Sequence, residues 1–449
     1  MKGKRIGSWL LALAVLCGIL SGAAAEAPEG QVICSYNAVY MENGFLYESF
    51  DRSMVYYYDF ASGQRMPLCT RPNCDHRPVN EMDPNSFHYS VAEFMNDNSS
   101  LCYAARLAYA GMFENSMVLY DGKLYYFPLF YQDPPPGANT VPLYVSEVDG
   151  ETRQLTDLGH LFSGAYDPYP TGVIAYDGYL YYLFYLYQKE PLEGEKAIEP
   201  DADLQPGSYQ LVKCSMATGE ASILETFYAE SCDMNLMGIY SGILYYRINV
   251  ADGLDPNIQD ERDQANDIRN KSRYSVLGID VNTGEKVMTD RRLCDRPVQK
   301  RDGYEIIRDG MLYSILPPDT PDNQDALFLK YDLNRRETVL EYSFKYDTES
   351  DYYPYRVLTD EIVLSFDFET GTFALQNLKT GEIKPLSIPG ACINGNAEAD
   401  WYDIFVEYIQ TDPLILDHRF SDPDLDKAYI SVDELLNENN PQMHEFARE

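Results

Sequence analysis

The stretch "LCTRPNCDHRP", residues 68–78, brings Cys69, Cys74 and His76 within eight positions, and Cys102 follows after a loop. Three thiolates and one imidazole make a closed tetrahedral set for zinc. The chemistry asks for those types because a borderline-soft cation takes soft anionic sulfur together with a neutral ring nitrogen. Four protein ligands leave no open position, so the set predicts a structural ion rather than a catalytic one. Such an ion would clip a long, weakly hydrophobic segment whose ordering is entropically costly. His88 is an alternative fourth ligand. The C-x4-C-x-H spacing is less specific than a double CxxC, and a second reading stands beside the metal. It is a Cys69–Cys74 or Cys74–Cys102 disulfide with His76 at the surface. Cys34, Cys214, Cys232, Cys294 and Cys392 have no informative spacing and read as buried small hydrophobes or as disulfide partners.

Other chemistry is hard to find. The sequence contains no G-x-S-x-G elbow, Walker loop, HExxH or dinucleotide fingerprint. The S-x-D-x-G-x-T-W box of sialidase-type propellers is absent, and Trp9 and Trp401 are the two tryptophans. His160, His418 and His444 are isolated and read as surface or hydrogen-bonded histidines. Carboxylates are so abundant that spacing cannot nominate a glycosidase-like pair. Acidic loops suit Ca²⁺ through carboxylate and carbonyl oxygens, but no EF-hand or acidic nonapeptide repeat is present.

The elements that must position these residues come from a repeated phrase. "VLYDGKLYYF" starts at Val118 and "IAYDGYLYYL" at Ile174; looser copies start at Val39, Gly238, Ile306 and Val357. Each is a strand, a tight turn and a second strand, with Asn43-Gly44, Asp121-Gly122, Asp177-Gly178, Ser241-Gly242 and Asp309-Gly310 as turn residues. Asp360-Glu361 departs from the pattern and predicts a different turn. A second phrase follows each first one, as in "YSVLGIDVNTGEKVM" from Tyr274, with Gly63, Gly150, Gly219, Gly284 and Gly381 in the turn and Arg336 in place of a glycine. The unit is therefore four antiparallel strands, A to D, present six times.

That repeat predicts an all-β fold, a β-propeller of four-stranded blades. Seven blades are favoured, with six as the alternative. The seventh would use "CIN" from Cys392, "WYDIFVEYI" from Trp401 and "KAYISV" from Lys427, closed by "QVIC" at residues 31–34. The A–B and C–D turns are short. Long segments fall at B–C and D–A positions, so one face is plain and the other elaborated. They begin at Pro128, Gln188, Asn249 and Pro317; Ile258, Ala265 and Ile268 predict a short helix in the third. The Cys/His segment, residues 67–111, joins blade one to blade two and is expected on the elaborated face.

Lys2, Lys4 and Arg5, then the apolar run 9–20 and Ala23-Ala24-Ala25, predict a secretory signal over residues 1–25, with one propeller domain over 26–449. A lipoprotein reading through Cys17 is disfavoured by Leu16. The run is too short to span a bilayer, and no later apolar run is long enough to do so. The formal charge of −36 repels nucleic acid and anionic lipid.

The YDGxLYY and TGE phrases, the run "PLCTRPNCDH" and the closing "YISVDELLNEN" resemble a largely uncharacterised group of exported propeller proteins of anaerobic Gram-positive bacteria, and more distantly TolB-like propellers. The resemblance covers nearly the whole mature chain. It implies the fold and a Cys/His cluster, and no established activity. The functional expectation is an exported, noncatalytic binding propeller at the cell envelope that takes a glycan, peptide or envelope protein on its elaborated face. The alternative is a carbohydrate-active hydrolase or lyase that uses carboxylates in the central mouth.

Overall fold

Turn chemistry sets the blades. Asp121-Gly122, Asp177-Gly178, Ser241-Gly242 and Asp309-Gly310 all have positive φ at both residues, from 47° to 75°, which is the backbone a two-residue hairpin needs. Ser241 adopts it as readily as the aspartates. At Asp360-Glu361 the turn differs, as expected: the Thr359 hydroxyl accepts from the backbone N–H of Glu361 and Ile362. The C–D turns share another device. Asp280, Asp332 and Asn377 each accept two backbone N–H bonds from the residues just ahead, the Asx geometry that opens a turn. Arg336 takes the left-handed position at φ 59° without a glycine. In the second blade that position falls on Asp149, φ 57°, rather than on Gly150.

The computed structural model describes residues 34–35, 38–41, 44–48, 54–77, 91–109, 116–128, 140–188, 208–228, 231–255, 257–258, 260–297, 304–316, 325–345, 352–367, 372–387, 401–404, 414–419, 427–437, 441–442 and 444–448. They fall into two compact units, Met1–Ala61 with Arg65–Ile239, and Ser62–Gln64 with Tyr240–Arg448.

The first five strands of the opening sheet are Cys34–Ser35, Ala38–Met41, Gly44–Glu48, Val55–Asp59 and Gln64–Pro67. The second blade is Val118–Tyr120, Lys123–Tyr126, Pro142–Glu147, Thr152–Asp157, and the third is Tyr166–Tyr176, Tyr179–Gln188, Ser208–Ser215, Ala221–Phe227. The fourth blade is Ser231–Tyr240, Ile243–Ala251, Arg273–Asp280, Lys286–Met288. Then come Tyr304–Arg308 to Glu337–Lys345, Tyr352–Val357 to Ile383–Leu386, and Trp401–Ile404, Leu414–Arg419, Lys427–Ile430, His444–Glu445. Among the described residues, six blades follow a four-strand antiparallel path, one of them with Arg296–Pro297 added as a fifth strand, accompanied by the six-stranded opening sheet. The fold is an all-β propeller.

The expected make-up of the last blade needs correction. Its strands include Leu414–Arg419 and His444–Glu445, and Cys34 does not close it. Cys34 pairs with Val39 and Ser35 with Ala38. "CIN" at Cys392 lies outside the described residues, as do most of the long loops. The third of those loops does hold a helix, Glu261–Lys271, and Ile258 precedes it.

The B strands fill the space between blades. Leu124, Tyr125 and Tyr126, then Leu180, Tyr181 and Tyr182, then Leu244, Tyr245 and Tyr246, are all buried, because a blade is covered on both faces. The Tyr245 hydroxyl donates to the Leu333 carbonyl at 2.9 Å, so the ring packs and its polar tip is satisfied.

Candidate metal centre

Cys69 follows the last strand of the opening sheet, and its N–H donates to the Pro67 carbonyl at 2.7 Å. The next residues reverse direction: the Cys74 N–H donates to the Arg71 carbonyl at 3.2 Å. His76 takes a left-handed backbone, φ 48°, a conformation histidine tolerates better than most residues. Two short helices complete the segment, α1 (Val91–Asp97) and α2 (Tyr103–Tyr109). Cys102 stands just ahead of α2, and its carbonyl accepts from the Arg106 N–H at 2.9 Å.

This path brings together all four residues read from the sequence. The three sulfurs and one His76 ring nitrogen lie within 4.8 Å of one another. The Cys102 sulfur is 3.6 Å from His76 Nδ1. Cys69 and Cys102 are buried; Cys74 and His76 are half-buried. The Cys69–Cys74 and Cys74–Cys102 disulfides are not formed, and all three cysteines are free. The alternative ligand His88 lies outside the described residues. The Cys69 thiol is held well below its usual range, first by a hydrogen bond from Cys102, against the opposing effect of burial; Cys102 is correspondingly pushed up.

Three neighbours were not legible as part of this site. Asp149 Oδ1 lies 3.6 Å from the Cys69 sulfur, and its Oδ2 accepts from the Thr70 hydroxyl at 2.6 Å and from the Thr70 N–H. Burial raises the Asp149 carboxyl against those hydrogen bonds. Arg71 reaches both sides of the cluster. Its Nη1 donates to the Ser99 and Ser100 carbonyls at 2.9 Å each, and Nη2 donates to Leu101 and lies 3.6 Å from the Cys74 sulfur.

The cluster lies against the tight C–D turn of the second blade, at Asp149. The same contact recurs elsewhere. The carbonyl of Leu155, late in the second blade, lies against Gly219 in the third blade's C–D turn. Asp290, just past Lys286–Met288, accepts from Thr338 at the start of the next blade's last strand, and Arg292 meets Glu341 at 2.6 Å. Twist accumulated over four strands swings each outer strand's end toward the next blade's turn.

Among the described residues, the remaining candidates stay apart from the cluster. His160 is hydrogen-bonded to the Asp157 carbonyl at 2.8 Å, and His444 to Glu434. The His418 side chain is outside the description. Cys214 is buried, and burial pushes its thiol up to about 12, as befits a small hydrophobe. Among the described residues no second group has metal-holding geometry.

No protein-family model and no curated protein matches the chain. Solved structures do match it at low identity. An oligogalacturonate lyase in complex with manganese is 10% identical, with 93% of this chain and 90% of that one covered and a TM-score of 0.37. An uncharacterized protein, lmo1340, from Listeria monocytogenes EGD-e is 8% identical over 91% and 93% of the two chains, TM-score 0.38. The acylaminoacyl peptidase of Pyrococcus horikoshii is 8% identical over 94% of this chain and 53% of its own, TM-score 0.41. They are distant neighbours of this chain, and nothing of their activities carries over to it.

Proposed function

We propose that the protein is an exported, noncatalytic binding propeller whose first inter-blade connection is clipped by a structural Zn²⁺. Cys69, Cys74, His76 and Cys102 hold the ion. The observation that carries this reading is the convergence of three free sulfurs and one imidazole nitrogen within 4.8 Å. Four protein donors fill a tetrahedral shell, which leaves no position for substrate. The ion's role is then to hold chain, and binding of a structural zinc supplies on the order of 10 kcal/mol to folding. The long B–C and D–A loops are where a glycan, peptide or envelope protein docks, because variable loops on a rigid scaffold carry recognition.

Metal analysis of protein purified without added metal or chelator tests the clip. The expected result is one zinc per chain, with thiols that react only after chelation. Cys102→Ser lowers the metal content below one zinc per chain. Protein that carries no metal, and in which two of the three cluster cysteines resist alkylation until a reductant is added, contains the disulfide instead, and the clip is then wrong.

A further inference from the structure

The guanidinium of Arg71 occupies a place that a folding role alone does not explain. It sits inside the ligand run, between Cys69 and Cys74. Its Nη1 takes the carbonyls of Ser99 and Ser100, and its Nη2 takes the carbonyl of Leu101, the residue directly before Cys102. The same Nη2 lies 3.6 Å from the Cys74 sulfur, and Nε faces Asp149 Oδ1 at 3.7 Å. One side chain thus spans both arms of the ligand set and the turn of the next blade.

The charges give this span a purpose. Zn²⁺ with three thiolates and a neutral imidazole keeps a net negative charge. The Asp149 carboxylate stands against Cys69 and adds to it. Arg71 is the cation that faces both Cys74 and Asp149. Hydrogen bonds to ligating sulfur and fixed partners around a site tune metal affinity.

We propose that Arg71 is the positioning residue of the metal site: it offsets the thiolate charge and fixes Cys102 relative to Cys74. The inference rests on the zinc reading. A lysine keeps the charge but not the planar fork, so it cannot hold three carbonyls and a sulfur together.

The test is titration of the full chain with Co²⁺ and Zn²⁺, read by cobalt–thiolate absorption and by competition with a chromophoric chelator. Wild type, Arg71→Lys and Arg71→Ala are compared. The expected result is that Arg71→Ala binds both ions about 10–100-fold more weakly. Arg71→Lys recovers part of that loss, with a cobalt spectrum shifted from wild type. Melting of the chelated forms controls for a merely structural role, which lowers stability without metal and leaves affinity alone. If Arg71→Ala fails to fold, Arg71→Lys decides. Wild-type affinity and spectrum in the variants that fold overturn the inference while the zinc site stands. Absence of metal binding in wild type overturns the zinc reading itself.

Discussion

Glu305 is wholly buried on a first strand, and four groups face it. Arg247 Nη1 lies 3.8 Å away, Tyr274 and Arg296 belong to the preceding blade, and the Ser314 hydroxyl donates to Glu305 at 3.4 Å. Burial raises its carboxyl above the usual range, and the arginines pull it back only in part. The sign of the linkage follows. A group whose folded pKa is raised holds its proton more tightly when folded, so it favours the fold below the unfolded pKa. That contribution is lost as pH rises through the folded value. Glu305→Gln cannot ionise, so its stability relative to wild type rises as pH climbs from about 4, the unfolded value, through the raised folded value. The gain is roughly 1.4 kcal/mol for each unit of raised pKa. Urea midpoints across that range check it, and a difference independent of pH would refute the raised carboxyl. Neither Arg71 nor Asp149 was legible as part of the metal site. Arg71 lies within the ligand run, but its residue type is not that of a metal ligand. Asp149 is 80 residues from Cys69, and in the sequence it is one more turn aspartate.

Helix α1 is too short to be stable alone, and it docks through side chains. Val91, Phe94 and Met95 are buried. Asn96 imitates a strand: its Nδ2 donates to the Thr152 carbonyl at 2.8 Å, and its Oδ1 accepts from the Thr152 N–H at 2.9 Å. Thr152 begins the outer strand of the second blade, where one side of the backbone has no strand neighbour, so one amide side chain completes the edge. Asn96→Ala leaves a buried N–H and C=O without these partners and costs about 1–3 kcal/mol. Asn96→Asp keeps the acceptor and loses the donor, so it falls between. Denaturation midpoints measure both, and an unchanged Asn96→Ala midpoint would show that the helix is held elsewhere. The helix Val432–Asn437 is anchored differently, by a capping box. Ser431 Oγ accepts from the Glu434 N–H at 3.1 Å, and Glu434 accepts from the Ser431 N–H at 2.9 Å. That cap was present in the sequence as S-x-x-E. The docking of α1 was not, because Asn96 and Thr152 meet only after the blade is built.

Across the molecule, what could be read in advance was whatever each blade specifies locally. Asp-Gly pairs fix hairpins and Leu-Tyr-Tyr runs fill both faces, so blade structure follows from near neighbours. Pairings set by competition between distant strands were not readable: His444–Glu445 completes the last blade, and Cys34 folds back onto Val39. Net charge is a further property of the whole that no single element sets. The chain carries −36, and like charges brought together on folding repel, so the field works against the compact state. Salt screens that repulsion over about 10 Å at 0.1 M and about 3 Å at 1 M. Short ion pairs such as Arg292–Glu341 at 2.6 Å and Lys330–Asp360 at 2.8 Å oppose the effect, since salt weakens them too. Exposed pairs contribute only about 0–1 kcal/mol each, and acidic residues number 71 against 35 basic ones. Repulsion therefore dominates, and the melting temperature rises as NaCl increases from about 0.01 M to about 0.5 M, most steeply at the low end where the Debye length is longest. Scanning calorimetry at fixed pH and saturating zinc measures it. A melting temperature that falls over that range would mean the ion pairs outweigh the acidic field.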